Sequence, residues 1–231
     1  MHWYDDFGWF GSAYGSNVLE NIHQSHPDKW ILNTEGCVYK PSNGETNFIG
    51  NWQDGDYYAR DIIDNLNHWS TGWVDWNMVL NEDRGPLWNM SLDTGTIVDA
   101  PIIIKNDGTE FYKNPAYYIM GHFSKFIVPN STRVNMNLNQ SVDSPVQGVS
   151  FLTPSNQIVT VLYNWNNITN YTVSLQTKGS NNWINLQLEK LSITTLIWNQ
   201  VTTTAAPSTS ATNLAGNVWI CVFSIITFLL R

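Results

Sequence analysis

An α/β region followed by an all-β region is the fold class this sequence predicts, and two observations carry it. Up to about residue 128, apolar strand-like runs alternate with amphipathic helical stretches, the signature of parallel α/β architecture. From Arg133 onward, short runs rich in β-branched and aromatic residues recur between Asn, Gly and Ser clusters. That regular spacing reads as an antiparallel β-sandwich. A boundary near Pro129 gives an α/β domain at 1–128 and a β-sandwich at 129–199.

A helix is predicted over 17–23, with Val18 and Ile22 on one face and Pro27 marking its exit. A strand follows at 30–35. Asp54 reads as the N-cap of a second helix over 55–70, whose Tyr58, Ile62, Leu66 and Trp69 make an apolar stripe. Thr71-Gly72 ends that helix, and 72–80 reads as one strand. Residues 101–105 and 110–112 form a hairpin around Asn106-Asp107-Gly108, a good turn sequence. Asn114-Pro115 opens a third helix running to about residue 126, with Pro at the first helical position. The sandwich strands are placed at 146–152, 158–163, 171–175, 183–188 and 192–198.

Composition narrows the function. A net charge of −8 with eleven basic residues among 231 argues against a nucleic-acid partner, which needs a basic footprint. Twelve Trp residues fill a core or stack on sugar rings, and composition leaves both open. Cys37 and Cys221 sit in contexts that make no mutual disulfide, and Cys37 reads as a small core residue rather than a nucleophile or metal ligand.

The sequons at Asn89, Asn130, Asn139, Asn167 and Asn170 fit a secreted surface, although a chain this rich in Asn, Ser and Thr produces such triplets by chance. No signal peptide is read at the start of the chain. Residues 200–217 form a Thr/Ser/Pro-rich stalk, and 218–231 a hydrophobic tail too short for the roughly twenty residues of a spanning helix. Small residues, a polar spacer and an apolar end match a glycosylphosphatidylinositol-anchor signal; a short tail anchor is the other reading.

One stretch carries chemistry: Trp30-Ile-Leu-Asn-Thr-Glu35-Gly36-Cys37-Val38. A buried strand that ends in a lone carboxylate and a glycine suits a catalytic group at the C-terminal end of a barrel strand. A helix cap or a solvated loop residue is the plain alternative.

His2-Trp3-Tyr4, Thr34-Glu35-Gly36-Cys37, Gly72-Trp-Val-Asp-Trp-Asn77 and Gly121-His-Phe-Ser-Lys-Phe126 occur in this order. With these motifs the chain resembles the glucosylceramidases of glycoside hydrolase family 30, over about 1–198. The resemblance implies the C-terminal part of an eightfold (β/α) TIM barrel, from its sixth strand onward, then most of a β-sandwich. It implies a retaining β-glucosidase with Glu35 as nucleophile, Tyr4 hydrogen-bonded to that carboxylate, and Trp76 as a wall of the glucose pocket. His2 and Asp75 lie in the same signatures, in a supporting or a purely structural role.

A retaining glycosidase needs a second, protonated carboxyl group about 5–5.5 Å from the nucleophile. In the family that acid/base follows an Asn at the end of the fourth strand. Glu20, Glu45, Glu82 and Glu110 lie in helix, loop or hairpin contexts, so the fragment alone is expected to be inactive. The resemblance implies no metal or organic cofactor, a glycosphingolipid substrate at a membrane surface, a saposin-type activator, and a lysosomal or extracellular setting. The longer loop after residue 88 leaves the aglycone open. The alternatives are a family 30 enzyme for soluble β-glycosides and a non-catalytic, membrane-tethered chain.

Overall fold

The computed structural model describes residues 2, 17–41, 49–85, 96–137, 144–178 and 180–200. Tyr4, Asn89, Asn139, the stalk and the hydrophobic tail lie outside the described residues. The chain divides into two compact units between Phe126 and Ile127.

In unit 1, helix α1 (Asn17–Ser25) places Glu20 in its first turn and His23 in its last, where each complements the helix dipole. Strand β1 (Ile31–Gly36) follows, then the short strand β2 (Tyr39–Pro41). Helix α2 (Trp52–Asn67) starts three residues before the predicted position. Its N-cap is Asn51, whose side chain accepts the Gln53 N–H, whereas Asp54 points inward and is fully buried. The buried face runs through Tyr58, Ala59, Asp61, Ile62, Ile63 and Asn65. Leu66 is therefore only partly buried, and Trp69 lies beyond the helix, exposed and at φ +73°.

The single strand expected at 72–80 is two strands, β3 (Ser70–Asp75) and β4 (Val79–Asn81). The break has a local cause: the Asp75 carboxyl group accepts the Asn77 N–H at 3.0 Å, an Asx turn that bends the chain out of the ladder. Strand β5 (Thr96–Val98) pairs antiparallel with β2. Strand β6 (Ile102–Ile104) lies between β4, parallel, and β7 (Phe111–Lys113), antiparallel. The β6–β7 hairpin is the expected one, with Gly108 at φ +71° and Asp107 accepting from both the Thr109 amide and its hydroxyl. Leu80, Ala100 and Ile103 are buried together beneath this sheet.

Helix α3 (Pro115–Ser124) has Pro at its first turn as expected, but the Asn114 side chain does not cap it. That amide instead donates to Asp99 Oδ1 and to the Ala100 carbonyl. Helix α3 packs on α2, where a Cβ added to Gly55 would fall 2.7 Å from the Pro115 ring.

Unit 2 is antiparallel. Strands β8 (Thr132–Val134), β9 (Val146–Leu152), β10 (Gln157–Asn164) and β13 (Ser192–Asn199) form a sheet in the order β13-β10-β9-β8. Strands β11 (Tyr171–Leu175) and β12 (Ile184–Leu188) form a separate hairpin. Apart from the three-residue β8, too short to show an alternation, every strand matches its sequence expectation within one residue. Val146, Leu162 and Leu188 are the buried centre joining sheet and hairpin, with Tyr171, Val173, Leu186 and Leu196 around them. Strand β10 is buried along almost its whole length, on both faces, as a central strand must be.

Candidate active site

Strands β1 and β3 are parallel neighbours, with Ile31 opposite Ser70, Asn33 opposite Trp73 and Gly36 opposite Asp75. The Trp76 N–H continues the ladder, donating to the Gly36 carbonyl at 2.8 Å. Glu35 and Trp76 are thereby brought together at the C-terminal ends of adjacent parallel strands, the position at which barrel enzymes assemble their sites.

The register is not regular between these pairs. Three residue steps from Asn33 to Gly36 face two from Trp73 to Asp75, so β1 carries one extra residue at Thr34–Glu35. Regular alternation would put Glu35 on the same face as Asn33, which is fully buried and meets Asn65 of α2. The bulge breaks that alternation, as bulges beside active sites do. The Glu35 carboxylate, with a side chain 14% exposed, meets His2 instead, with Nδ1 2.9 Å from Oε2. An N–H at that nitrogen donates a charge-assisted hydrogen bond to the carboxylate.

The bulge is braced from below. The Glu35 N–H, lost to the ladder, donates to Asn33 Oδ1 at 3.5 Å, and Asn33 Nδ2 donates to Asn65 Oδ1 at 3.4 Å. Asn65 Nδ2 donates to Asp61 Oδ1 at 2.8 Å, and the Trp73 indole N–H donates to Asp61 Oδ2 at 2.5 Å. The Trp73 ring in turn lies flush on Gly36: a Cβ there would come within 2.0 Å of it. Gly36 is glycine because the indole occupies the side-chain space.

Trp76 is 55% exposed and offers a ring face to solvent, and the Met78 thioether beside it is 72% exposed. Asp75 does not share that outlook. Its carboxyl group lies beside the Tyr58 hydroxyl of α2, and burial pushes its pKa up to about 7 against the opposing Asn77 N–H. Burial raises Asp99 to about 7 as well, although the Ala100 amide and the Asn114 side chain both donate to it. Tyr58, wholly buried between these acids, is driven above its ordinary value by burial first and by their charge second. Among the described residues, no three His, Cys, Asp or Glu side chains are grouped to hold a metal ion.

Residues 1–127 match the glycosyl hydrolase family 30 TIM-barrel domain, and residues 130–196 match the family 30 beta sandwich domain. The chain belongs to glycosyl hydrolase family 30. It thus holds part of a TIM-barrel domain followed by a β-sandwich, the fold class the sequence predicts. The lysosomal acid glucosylceramidase of Mus musculus is 36% identical over 164 residues, 71% of this chain and 30% of that protein. SrfJ from Salmonella typhimurium superimposes with a TM-score of 0.67 at 27% identity, over 80% of this chain and 38% of that one. The endo-beta1,6-glucanase BT3312 has a TM-score of 0.65 at 24% identity, over 80% and 39%. This chain therefore spans about a third of the length of the relatives it matches.

Sequence reasoning names Glu35, Trp76, His2 and Asp75 but misses the bracing residues Asn33, Asp61, Asn65 and Trp73. A signal for part of this was present. Asp61 and Asn65 fall at i+3 and i+7 from Tyr58, polar positions set into the buried face of α2. Of the sequons, Asn130, Asn167 and Asn170 are exposed, and the Asn170 side chain accepts the Lys190 N–H.

Proposed function

We propose that Glu35 is the nucleophile of a retaining β-glucosidase that cleaves the β-glucosidic bond of glucosylceramide. The observation that carries the reading is the carboxylate of Glu35, turned out of β1 by a bulge beside Trp76 and contacted by His2 at 2.9 Å. Glu35 attacks the anomeric carbon of the glucosyl unit and the ceramide oxygen leaves, taking a proton from a second carboxyl group. The covalent glucosyl-enzyme is then hydrolysed by water, with the second carboxylate as base. No residue of this chain is put forward for that second group. In this reading His2, 2.9 Å away, holds the Glu35 carboxylate in place, and Tyr4 is assigned as a second hydrogen-bond partner on the family resemblance alone. Trp76 stacks on the apolar face of the sugar.

The substrate assignment draws on the name of the mouse relative, a lysosomal acid glucosylceramidase. From the same name follow a lysosomal or secretory setting and an acidic working pH; a glycosphingolipid presented at a membrane surface and a saposin-type activator are proposed on the family resemblance alone. In the whole enzyme, Glu35→Gln reduces hydrolysis of glucosylceramide and of a fluorogenic β-glucoside to background. A mechanism-based cyclitol epoxide labels Glu35, read by peptide mass spectrometry. Labelling of another carboxylate overturns the nucleophile; turnover of a β-1,6-glucan but not of glucosylceramide overturns the substrate.

A further inference from the structure

We propose that Asp61, on α2 and outside the reacting centre, is the positioning residue that sets the direction of the Glu35 carboxylate. The inference rests on the reading of Glu35 as nucleophile and adds the device that aims it. Asp61 is buried, 7% exposed, and its two carboxyl oxygens serve the two sides of the bulge separately. Oδ2 takes the Trp73 indole N–H and so fixes the ring on which Gly36 rests. Oδ1 takes the Asn65 amide, which orients the Asn65 oxygen toward Asn33, and Asn33 receives the Glu35 N–H. One side chain thus holds the residue after the nucleophile through Trp73, and the nucleophile's own amide through Asn65 and Asn33.

The arrangement is specific to a carboxyl group. An amide at position 61 puts one acceptor oxygen and one donor nitrogen in these two places, so its side chain can accept at only one of them, and where Asn65 loses out it keeps only the Asp61 main-chain carbonyl at 2.9 Å. A bulge is soft, because one residue is missing from the ladder, and a displacement of about 1 Å at a reacting group costs on the order of 10²-fold in rate. Asp61 makes no contact with the sugar in this scheme. Its loss lowers the rate of the chemical step and leaves ground-state binding alone.

The test is a double-mutant cycle in the whole enzyme with Asp61→Asn and Trp73→Phe, the second keeping a ring over Gly36 while removing the N–H. Each single variant is expected to lower kcat and the rate of covalent labelling of Glu35 by the epoxide about 10- to 100-fold. KM is expected to stay within about twofold, and the double variant to be no slower than the slower single one. Unchanged kcat in both variants, a defect confined to KM, or fully additive losses would each overturn the proposal. Should Asp61→Asn fail to fold, Trp73→Phe alone decides it by the same kcat-against-KM split. Activity retained by Glu35→Gln instead overturns the nucleophile reading itself, so the two failures are told apart.

Discussion

Among the described residues, unit 1 buries four Asp and His side chains, Asp54, Asp61, Asp99 and His122, beside Asn33, Asn65, Ser70 and Asn114, whereas the buried polar side chains of unit 2 are Ser150, Thr153, Thr160, Asn164, Ser192, Thr194 and Thr195. Those four ionise and the set in unit 2 does not. The ladders differ in the same sense. Strand β10 pairs without interruption with β9 and β13, while β1 and β3 change register twice within six residues. Unit 2 spends its sequence on continuous hydrogen bonding and a closed apolar centre. Unit 1 keeps irregular strand ends at Glu35, where the chemistry is proposed, and sets buried acids away from it around Tyr58 of α2. Regular ladders and buried Asp and His side chains are thus separated along the chain, and each unit can be probed in its own way.

The largest effect is expected in unit 2. Leu162 is fully buried between Val146 and Leu188, so Leu162→Ala removes transfer energy and opens a cavity, for a loss of about 2–5 kcal/mol. Amide exchange in β9, β10 and β13 should accelerate accordingly, and to the same degree at pH 4.5 and pH 7.5. A strong pH dependence of that loss would break the contrast between the units.

Unit 1 should respond to pH itself. Asp75 and Asp99 are raised from an ordinary 3.8 to about 7 by burial, so in this window the folded state holds protons that the unfolded state has released. Their stabilising contribution is complete below about 3.8 and is lost as pH rises to about 7. His122 acts in the opposite sense: burial lowers it from 6.5 to about 4, so its contribution is complete above 6.5 and lost as pH falls through 4. Two acids, joined by His68, whose pKa the Asp64 carboxylate raises, against His122 leave unit 1 more stable near pH 4.5 than near pH 7.5. Exchange protection in β3 and α2 should therefore fall as pH rises, after correction for intrinsic rates. Asp99→Asn should flatten the profile, and His122→Gln should steepen it. A profile that rises toward neutrality would refute the assignment.

This contrast also explains what was legible in the sequence. The strands of unit 2 could be read because regular ladders leave a regular alternation, as in 158–163 and 192–198. Glu35 and Trp76 could be read because strand ends are marked by an apolar run breaking into polar residues. The bulge could not, since register is a relation between two strands and neither β1 nor β3 shows it alone. Asp54 looked like a cap because a carboxylate before a helical stripe usually is one. Burial against Asp99 and Arg84, far apart in sequence, gave it another place. Asp75 was visible by motif, but its position beside Tyr58 rather than toward the site depends on how α2 packs on β3.

The smallest effect returns to the start of α2, where sequence and structure disagree. Asn51 has extended backbone angles of φ −71° and ψ 107°, and its side chain accepts the Gln53 N–H at 3.0 Å. Both groups are near solvent, so water replaces part of what Asn51→Ala removes, and the cost should be about 1 kcal/mol. Asn51→Asp should be close to neutral, because aspartate caps as well and its charge faces the positive end of the helix. If the helix began at Asp54 instead, Asn51→Ala would be silent, and exchange at the first-turn amides of α2 would not change. A loss near 1 kcal/mol, independent of pH between 4.5 and 7.5, would show that the pH sensitivity of unit 1 resides in its buried acids and not in the polar contacts at its surface.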